Sequence, residues 1–329
     1  MSEVLIPATD SRKYGYIDTS GKFRIAPRFN HAFPFYDGLA LVEKKSLLRR
    51  GKHLYGYVNP KGKQVIGFKY EQAFSFSGGL APVVPTGMIG EKWGYINARG
   101  SLVIRPRFAE VGGFFEGLAR VGDGSSWGYI GEKGKYLIEP VFSSAGDFSG
   151  GLAPVRRHHD EKWEYIDREG KQKIAARFDW AESFAEGVAR INRGGKWGFV
   201  RPDGSFLFPP VLGYSGNFSE GMAAINMERK FDELFHEMRG GKWGYIDDAG
   251  RGVIDANYDE AGPFRGGLAR VKLYGKWGYI DREGSLVIKP AYEAAGDFQG
   301  EVALVWRDDR YFLTDRTGKE IPVAGRLKK

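Results

Sequence analysis

The stretch Gly267-Leu-Ala-Arg-Val-Lys-Leu-Tyr-Gly-Lys-Trp-Gly-Tyr-Ile-Asp-Arg-Glu-Gly-Ser-Leu-Val-Ile-Lys-Pro-Ala-Tyr292 contains three short apolar runs: Leu268 to Val271, Trp277 to Ile280 and Leu286 to Ile288. Runs this short, rich in β-branched and aromatic side chains, predict strands rather than helices. Between the second and third runs sits Asp281-Arg-Glu-Gly284. Asp can hydrogen-bond the turn backbone, and Gly accepts the left-handed conformation that closes a type I turn with a bulge, so the two runs form a hairpin. A short Gly- or charge-bearing loop ending in Lys276 joins the first run to the second as another hairpin. The stretch therefore reads as a three-stranded antiparallel meander.

The same pattern occurs nine times. Its leading aromatics are Tyr14, Tyr55, Trp93, Trp127, Trp163, Trp197, Trp243, Trp277 and Tyr311, at spacings of 41, 38, 34, 36, 34, 46, 34 and 34 residues. A basic period of 34 running from end to end predicts one continuous array whose units bury their apolar faces on their neighbours. The reading is a single domain, 1–329, with units starting near 4, 39, 80, 118, 152, 188, 222, 268 and 302 and insertions at 43–54 and 226–241. After the third run comes Pro with an aromatic, as in Pro27 with Phe29 and Pro290 with Tyr292, where the missing donor ends a strand. A Phe then recurs once per connection: Phe35, Phe76, Phe114, Phe148, Phe184, Phe218, Phe264 and Phe298. It is expected to seal one meander against the next. The repeat tryptophans Trp93, Trp127, Trp163, Trp197, Trp243 and Trp277 are read as structural, with the following Gly letting another backbone or ring lie flat on the strand. Glu164 and Phe312 replace that Gly, so the fifth and ninth units are where the packing should deviate.

The combination of K-W-G-Y-I-D, the following Gly, I-x-P-x-F/Y and F-x-x-G-L-A, covering about Leu5 to Val323, resembles the WG-repeat family, also called KWG repeats and widespread in bacterial proteins. The resemblance implies a binding or scaffolding role and names no ligand.

The fold class expected is all-β: about nine three-stranded antiparallel meanders in an open superhelical, solenoid-like array. Three strands per 34 residues are lean beside the four-stranded blades of common propellers. The alternative is a closed β-propeller-like ring, which would remove exposed sheet edges.

At 42% hydrophobic residues the chain can bury a sizeable core, and its 48 Gly and 15 Pro suit short strands and tight turns. Cysteine is absent, which excludes disulfides, thiolate metal sites and a Cys nucleophile. No basic-then-apolar leader and no long apolar span is evident, so a cytoplasmic protein without membrane insertion is expected. A net charge of +8 favours anionic partners, although 41 acidic residues are mixed among 49 basic ones.

No cofactor, metal site or catalytic residue is expected. His158-His159-Asp160 lies in a loop where adjacent side chains point to opposite faces. No Gly-x-Ser-x-Gly elbow or phosphate-cradling glycine motif occurs, and Asp167, Asp247 and Asp281 read as turn formers.

The insertions are the better lead. In 226–241, Met227, Phe231, Leu234, Phe235 and Met238 step by three and four residues, which predicts an apolar stripe on a short helix, either roofing a neighbouring unit or docking a partner. In 43–54, Lys44, Lys45, Arg49 and Arg50 surround Leu47-Leu48, and Arg156 and Arg157 occupy the corresponding place in a later unit. The expected function is a non-enzymatic scaffold binding a protein through this variable loop edge. The alternative is a module for an anionic polymer, nucleic acid or polysaccharide, using the basic rim with Trp180 and Trp306. The oligomeric state is left open.

Overall fold

A computed structural model describes residues 4–10, 12–46, 51–87, 90–159, 161–228, 230–232 and 237–323. Every regular element among them is a strand, and every pairing is antiparallel. The chain divides into two compact units: Met1–Asp160 with Arg168–Lys171 and Val323–Lys329, and Glu161–Asp167 with Gln172–Pro322.

In the first unit, a three-stranded sheet (Ile6–Thr9, Tyr14–Ile17, Phe23–Phe29) precedes a seven-stranded sheet and then a four-stranded one. The seven-stranded sheet is two meanders sharing one long strand, Gln64–Ala73, which pairs with His53–Val58 through one half and Leu80–Pro85 through the other. In the second unit, four four-stranded sheets follow one another between Trp180 and Pro322, and none closes into a barrel.

The meander read from the sequence is present, with one addition. Each connection carrying the recurrent Phe folds back as a further strand on the first strand that follows it, as Glu260–Arg265 does on Leu268–Leu273. Units after the first therefore have four strands where three were expected, the strand count of a propeller blade. The two strands meet through a two-residue turn with positive φ at both positions: Asp37 (48°) and Gly38 (79°), Glu116 (53°) and Gly117 (77°), Gly266 (61°) and Gly267 (76°). This is the type I′ hairpin geometry, which matches the right-handed twist of the strands.

Sheets are buried on both faces, and the first strand shows how. Leu39 and Leu41 pack toward the following meander with Tyr57, Ile66, Phe76, Ala81 and Val83. Ala40 and Val42 pack toward the preceding one with Tyr16, Ile25 and Phe29. The same split recurs at Leu268 against Ala269 and Val271. A strand buried on both sides reads as a continuous apolar run, which is why L-A-x-V does not alternate with polar residues.

The glycine after the repeat aromatic has a backbone reason. Trp127 stands opposite Phe142 and Tyr129 opposite Ile138, so two steps on the second strand face four on the third. The same shift occurs in each of the first eight meanders. The third strand bulges over the glycine, and a Cβ on Gly128 would lie 2.6 Å from the Ile138 carbonyl oxygen. In the ninth unit Phe312 takes this position and the shift is gone, with Phe312, Leu313 and Thr314 opposite Pro322, Ile321 and Glu320. The fifth unit keeps the shift despite Glu164; its third strand carries Ala176 where most copies have Pro.

Seven tyrosines two residues beyond the leading aromatic are buried, and each hydroxyl donates to a backbone carbonyl 17 residues later: Tyr16 to Phe33, Tyr57 to Phe74, Tyr95 to Gly112, Tyr129 to Gly146, Tyr165 to Glu182, Tyr245 to Gly262 and Tyr279 to Gly296. The oxygen–oxygen distances are 2.8–2.9 Å. Each ring also meets the connection Phe, for example Tyr245 with Phe264 at 5.0 Å between centroids and Tyr279 with Phe298 at 4.9 Å. The expected seal is thus an aromatic pair plus a hydrogen bond.

Two outcomes follow from this geometry. Gly128→Ala forces the bulge outward and should lower stability by about 2 kcal/mol, in the range for overpacked sites, as read by urea denaturation; an unchanged midpoint would show that the bulge is slack. Burial holds the seven phenols above their ordinary pKa. A folded pKa raised in this way contributes stability that is complete below the unfolded value of about 10 and is lost as pH climbs past it toward the folded value. Thermal midpoints should fall above that pH, less so in Tyr245→Phe with Tyr279→Phe. Phenolate absorbance in the folded protein rising fully at the ordinary pKa would contradict this.

Candidate functional site

The repeat tryptophans lie at the seams between meanders. Trp93, Trp163, Trp243 and Trp277 are buried, while Trp127 and Trp197 are half-buried. Two arrangements cover them. Trp93 stacks on Phe74 at 4.8 Å and 7° between planes, Trp163 leans on Trp180, and Trp243 meets Tyr214 edge-on. At Trp127, Trp197 and Trp277 an arginine from the neighbouring first strand lies over the ring: Arg120 at 5.4 Å, Arg190 at 4.3 Å and Arg270 at 5.2 Å. Each arginine is fixed from its other side. Arg270 donates to the Ala295 carbonyl at 2.7 Å and pairs with Asp297 at 2.8 Å, and Arg120 does the same with Ala145 and Asp147. A guanidinium between an indole face and a carboxylate is a strong, directional contact.

Carboxylates hold the type I′ turns in register. Glu116 accepts from the N–H groups of Gly150 and Gly151, Glu186 from Glu220 and Gly221, and Glu220 from Gly266 and Gly267, all at 2.6–3.0 Å. Two successive N–H groups facing one way form an anion nest, and here the neighbouring turn supplies the anion. These turns were not recognised in the sequence. The signal was there as an acidic residue before the Gly of F-x-E-G-L/V/M at Glu116, Glu186 and Glu220.

The loops joining first to second strands carry the variation. Lys44 and Lys45 end the strand Leu39–Lys45, whose hairpin continues through Lys44 opposite Leu54 and Lys45 opposite His53. Lys44 lies over Phe68 at 5.0 Å, and Lys45 is exposed. Arg49 and Arg50 lie outside the described residues. Arg156 bonds the Ser144 hydroxyl at 3.1 Å, and Arg157 is exposed over the Phe142 ring at 5.3 Å. Asp123 closes the tight loop of the fourth unit; the N–H of Ser126, then the N–H and hydroxyl of Ser125, hold its carboxyl down at about 2.

The helix expected over 226–241 is not formed. Lys230–Asp232 and Glu237–Arg239 are strands, with Lys230 opposite Arg239, Phe231 opposite Met238 and Asp232 opposite Glu237. The pairing resumes in the register already set by Asn226 opposite Trp243. A hairpin flanked by paired strands has its closure entropy covered, whereas a helix of this length would have to nucleate alone. Leu234 and Phe235 lie outside the described residues, so Phe231 and Met238 are the two members of the expected stripe that the structure brings opposite one another.

Among the described residues, no group of three or more His, Asp or Glu side chains could hold a metal ion, and no helix is long and apolar enough to cross a membrane. His158 and His159 are exposed. Trp180 is 49% exposed against Trp163, and Trp306 is half-buried against Tyr311 at 4.3 Å.

The model of the WG containing repeat matches residues 14–47, 55–84, 93–124, 127–163, 165–197, 197–231, 243–277 and 277–311. The chain belongs to the WG-repeat family. The WG pair is thus the aromatic at the seam followed by the glycine beneath the bulge. No curated protein matches the chain. Among solved structures the WG-repeat chain is similar to one described as the eukaryotic initiation factor, at 13% identity and a TM-score of 0.65, covering 100% of this chain and 98% of that one. It is also similar to puromycin hydrolase (12% identity, TM-score 0.39, 94% of this chain and 55% of that one) and to Kluyveromyces lactis Hsv2 (12% identity, TM-score 0.36, 61% and 70%). The first is a likeness of fold, and the structural neighbours include propeller-like proteins.

Trp197→Ala and Trp277→Ala each remove a ring lodged between an arginine and the apolar seam. Loss of the buried Trp277 should cost about 3–5 kcal/mol, the range for deleting a large buried aromatic, and loss of the half-buried Trp197 somewhat less. A loss under about 1 kcal/mol in both, measured by chemical denaturation, would assign these rings to ligand or solvent.

Proposed function

We propose that the protein is a non-enzymatic repeat scaffold that docks a protein partner through the loops between first and second strands, with the hairpin Lys230–Asp232/Glu237–Arg239 as the principal element. The supporting observation is that this hairpin is a two-stranded sheet of its own, while the repeat's conspicuous polar groups are engaged within the array. A two-stranded ribbon with three residues a side is marginal in water and gains most from a third strand or an apolar surface. Phe231 and Met238, opposite one another, are residue types that anchor interfaces well.

Replacing 226–241 with the four-residue pattern Asn192 to Gly195 of the preceding unit, which restores the 34-residue spacing, is the direct test. Shortening a loop changes closure entropy by only about 0.6 kcal/mol per halving, so the array should keep its thermal midpoint and β-type circular dichroism. Cross-linking followed by mass spectrometry should identify a partner with the full chain and lose it with the shortened one. Retention of the same partner by the shortened chain would refute this docking element.

A further inference from the structure

At the end of the first meander, an open cavity of about 580 Å³ is lined by Lys13, Arg28, Lys44 and Lys45, with Asn30 and Ser46 between them and no carboxylate among its described lining residues. How the repeat treats this place elsewhere makes the charge informative. In the fifth, seventh and eighth units the lysine before the leading aromatic is neutralised by an acid 17 residues later: Lys162 by Asp179, Lys242 by Asp259 and Lys276 by Glu293. Asp179 also accepts from the N–H of Gly194 at the tip of the next hairpin.

In the first unit Asn30 takes over both contacts. Its Oδ1 accepts from Lys13 Nζ at 3.0 Å and from the Lys45 N–H at 2.9 Å. The geometry is kept and the negative charge is removed. Two further cations are held at the same place by aromatic faces. Arg28 lies 5.1 Å from the Phe29 centroid and donates to the Gly62 carbonyl, while Lys44 Nζ lies between Phe29 and Phe68 at 5.8 and 5.0 Å. Lys13, Arg28, Lys44 and Lys45 line one cavity with no counter-charge among its described lining residues, and a polyoxygen dianion that several donors can share suits such a lining better than a halide.

We propose that this pocket is an anion site that binds a phosphoryl group, with Lys13, Arg28, Lys44 and Lys45 as its cations and Asn30 as the residue that keeps it positive. The ligand is inorganic phosphate or a phosphate ester whose remaining part occupies the open side of the cavity. The inference stands apart from the docking reading: it uses a different unit and needs no partner protein.

The test is titration calorimetry of the full chain with inorganic phosphate, pyrophosphate and glycerol 3-phosphate at fixed ionic strength, set beside Asn30→Asp. That variant installs the Lys162–Asp179 arrangement, so the fold should hold, with an unchanged or raised thermal midpoint. Phosphate affinity should drop about tenfold or more, since a carboxylate then sits among the cations. Lys45→Gln, at an exposed position, should weaken binding without touching the seam and serves if Asn30→Asp fails to fold. Tighter binding of glycerol 3-phosphate than of inorganic phosphate assigns the site to an ester, and the reverse order assigns it to the free ion. The proposal is overturned if the wild-type chain shows no saturable heat with any of the three, or if the folded variants bind as the wild type does.

Discussion

The buried tyrosine hydroxyl that reaches the next connection's carbonyl sets the terms for the rest of the molecule. It ties the second strand of one meander to the backbone entering the next, across a seam already filled by its ring and by the connection Phe. A buried phenol needs its hydrogen bond, and a buried carbonyl needs a donor, so neither end can drift without leaving an unsatisfied group. The separation is therefore invariant. The donor precedes its acceptor by 17 residues in all seven copies. The ring precedes its Phe by 19 in all eight, including Phe199 with Phe218, where the hydroxyl is missing.

That constancy explains where the repeat varies. From the connection Phe to the next second-strand Tyr or Phe the spacing is 15 residues at Phe114 to Tyr129 and Phe184 to Phe199, but 22 at Phe35 to Tyr57 and 27 at Phe218 to Tyr245. The 34-residue period is a fixed segment that builds the seam joined to a free one that builds the first hairpin. The free segment can grow because a longer hairpin extends a ladder already paired. At Lys45 opposite His53 and at Lys230 opposite Arg239, the added residues inherit the register of the strands beneath them.

The strands, the Asp-x-x-Gly hairpins and the Phe at each seam were legible in the sequence because each depends on local chemistry. Asp281 capping the N–H groups of Glu283 and Ser285 is a contact over two and four residues. What escaped depends on the neighbouring unit. The connection strand is two residues long in several copies, as at Ser144–Ala145 and Trp180–Ala181, too short for any periodicity to register. The Glu116 nest needs a turn 34 residues away. In the insertion, apolar steps of three and four suggested a helix, yet the same Phe231 and Met238 stand opposite one another in a hairpin. Periodicity over so short a window does not separate the two, and the flanking strands decided.

Polar groups follow the same division between fixed and free segments. Along the seams many charges have a committed counterpart: Arg270 between Trp277 and Asp297, Glu220 on the Gly266 and Gly267 N–H groups, Lys242 on Asp259. Such contacts hold the stack in register and leave little charge for a ligand. A departure from the pattern that keeps the hydrogen bonds and drops the counter-charge, as at Asn30, costs the fold little because the geometry survives. It changes the local formal charge by one unit. In a repeat whose seams are this constrained, single-atom exchanges and longer hairpins are the routes by which one unit comes to differ from its copies without disturbing the next.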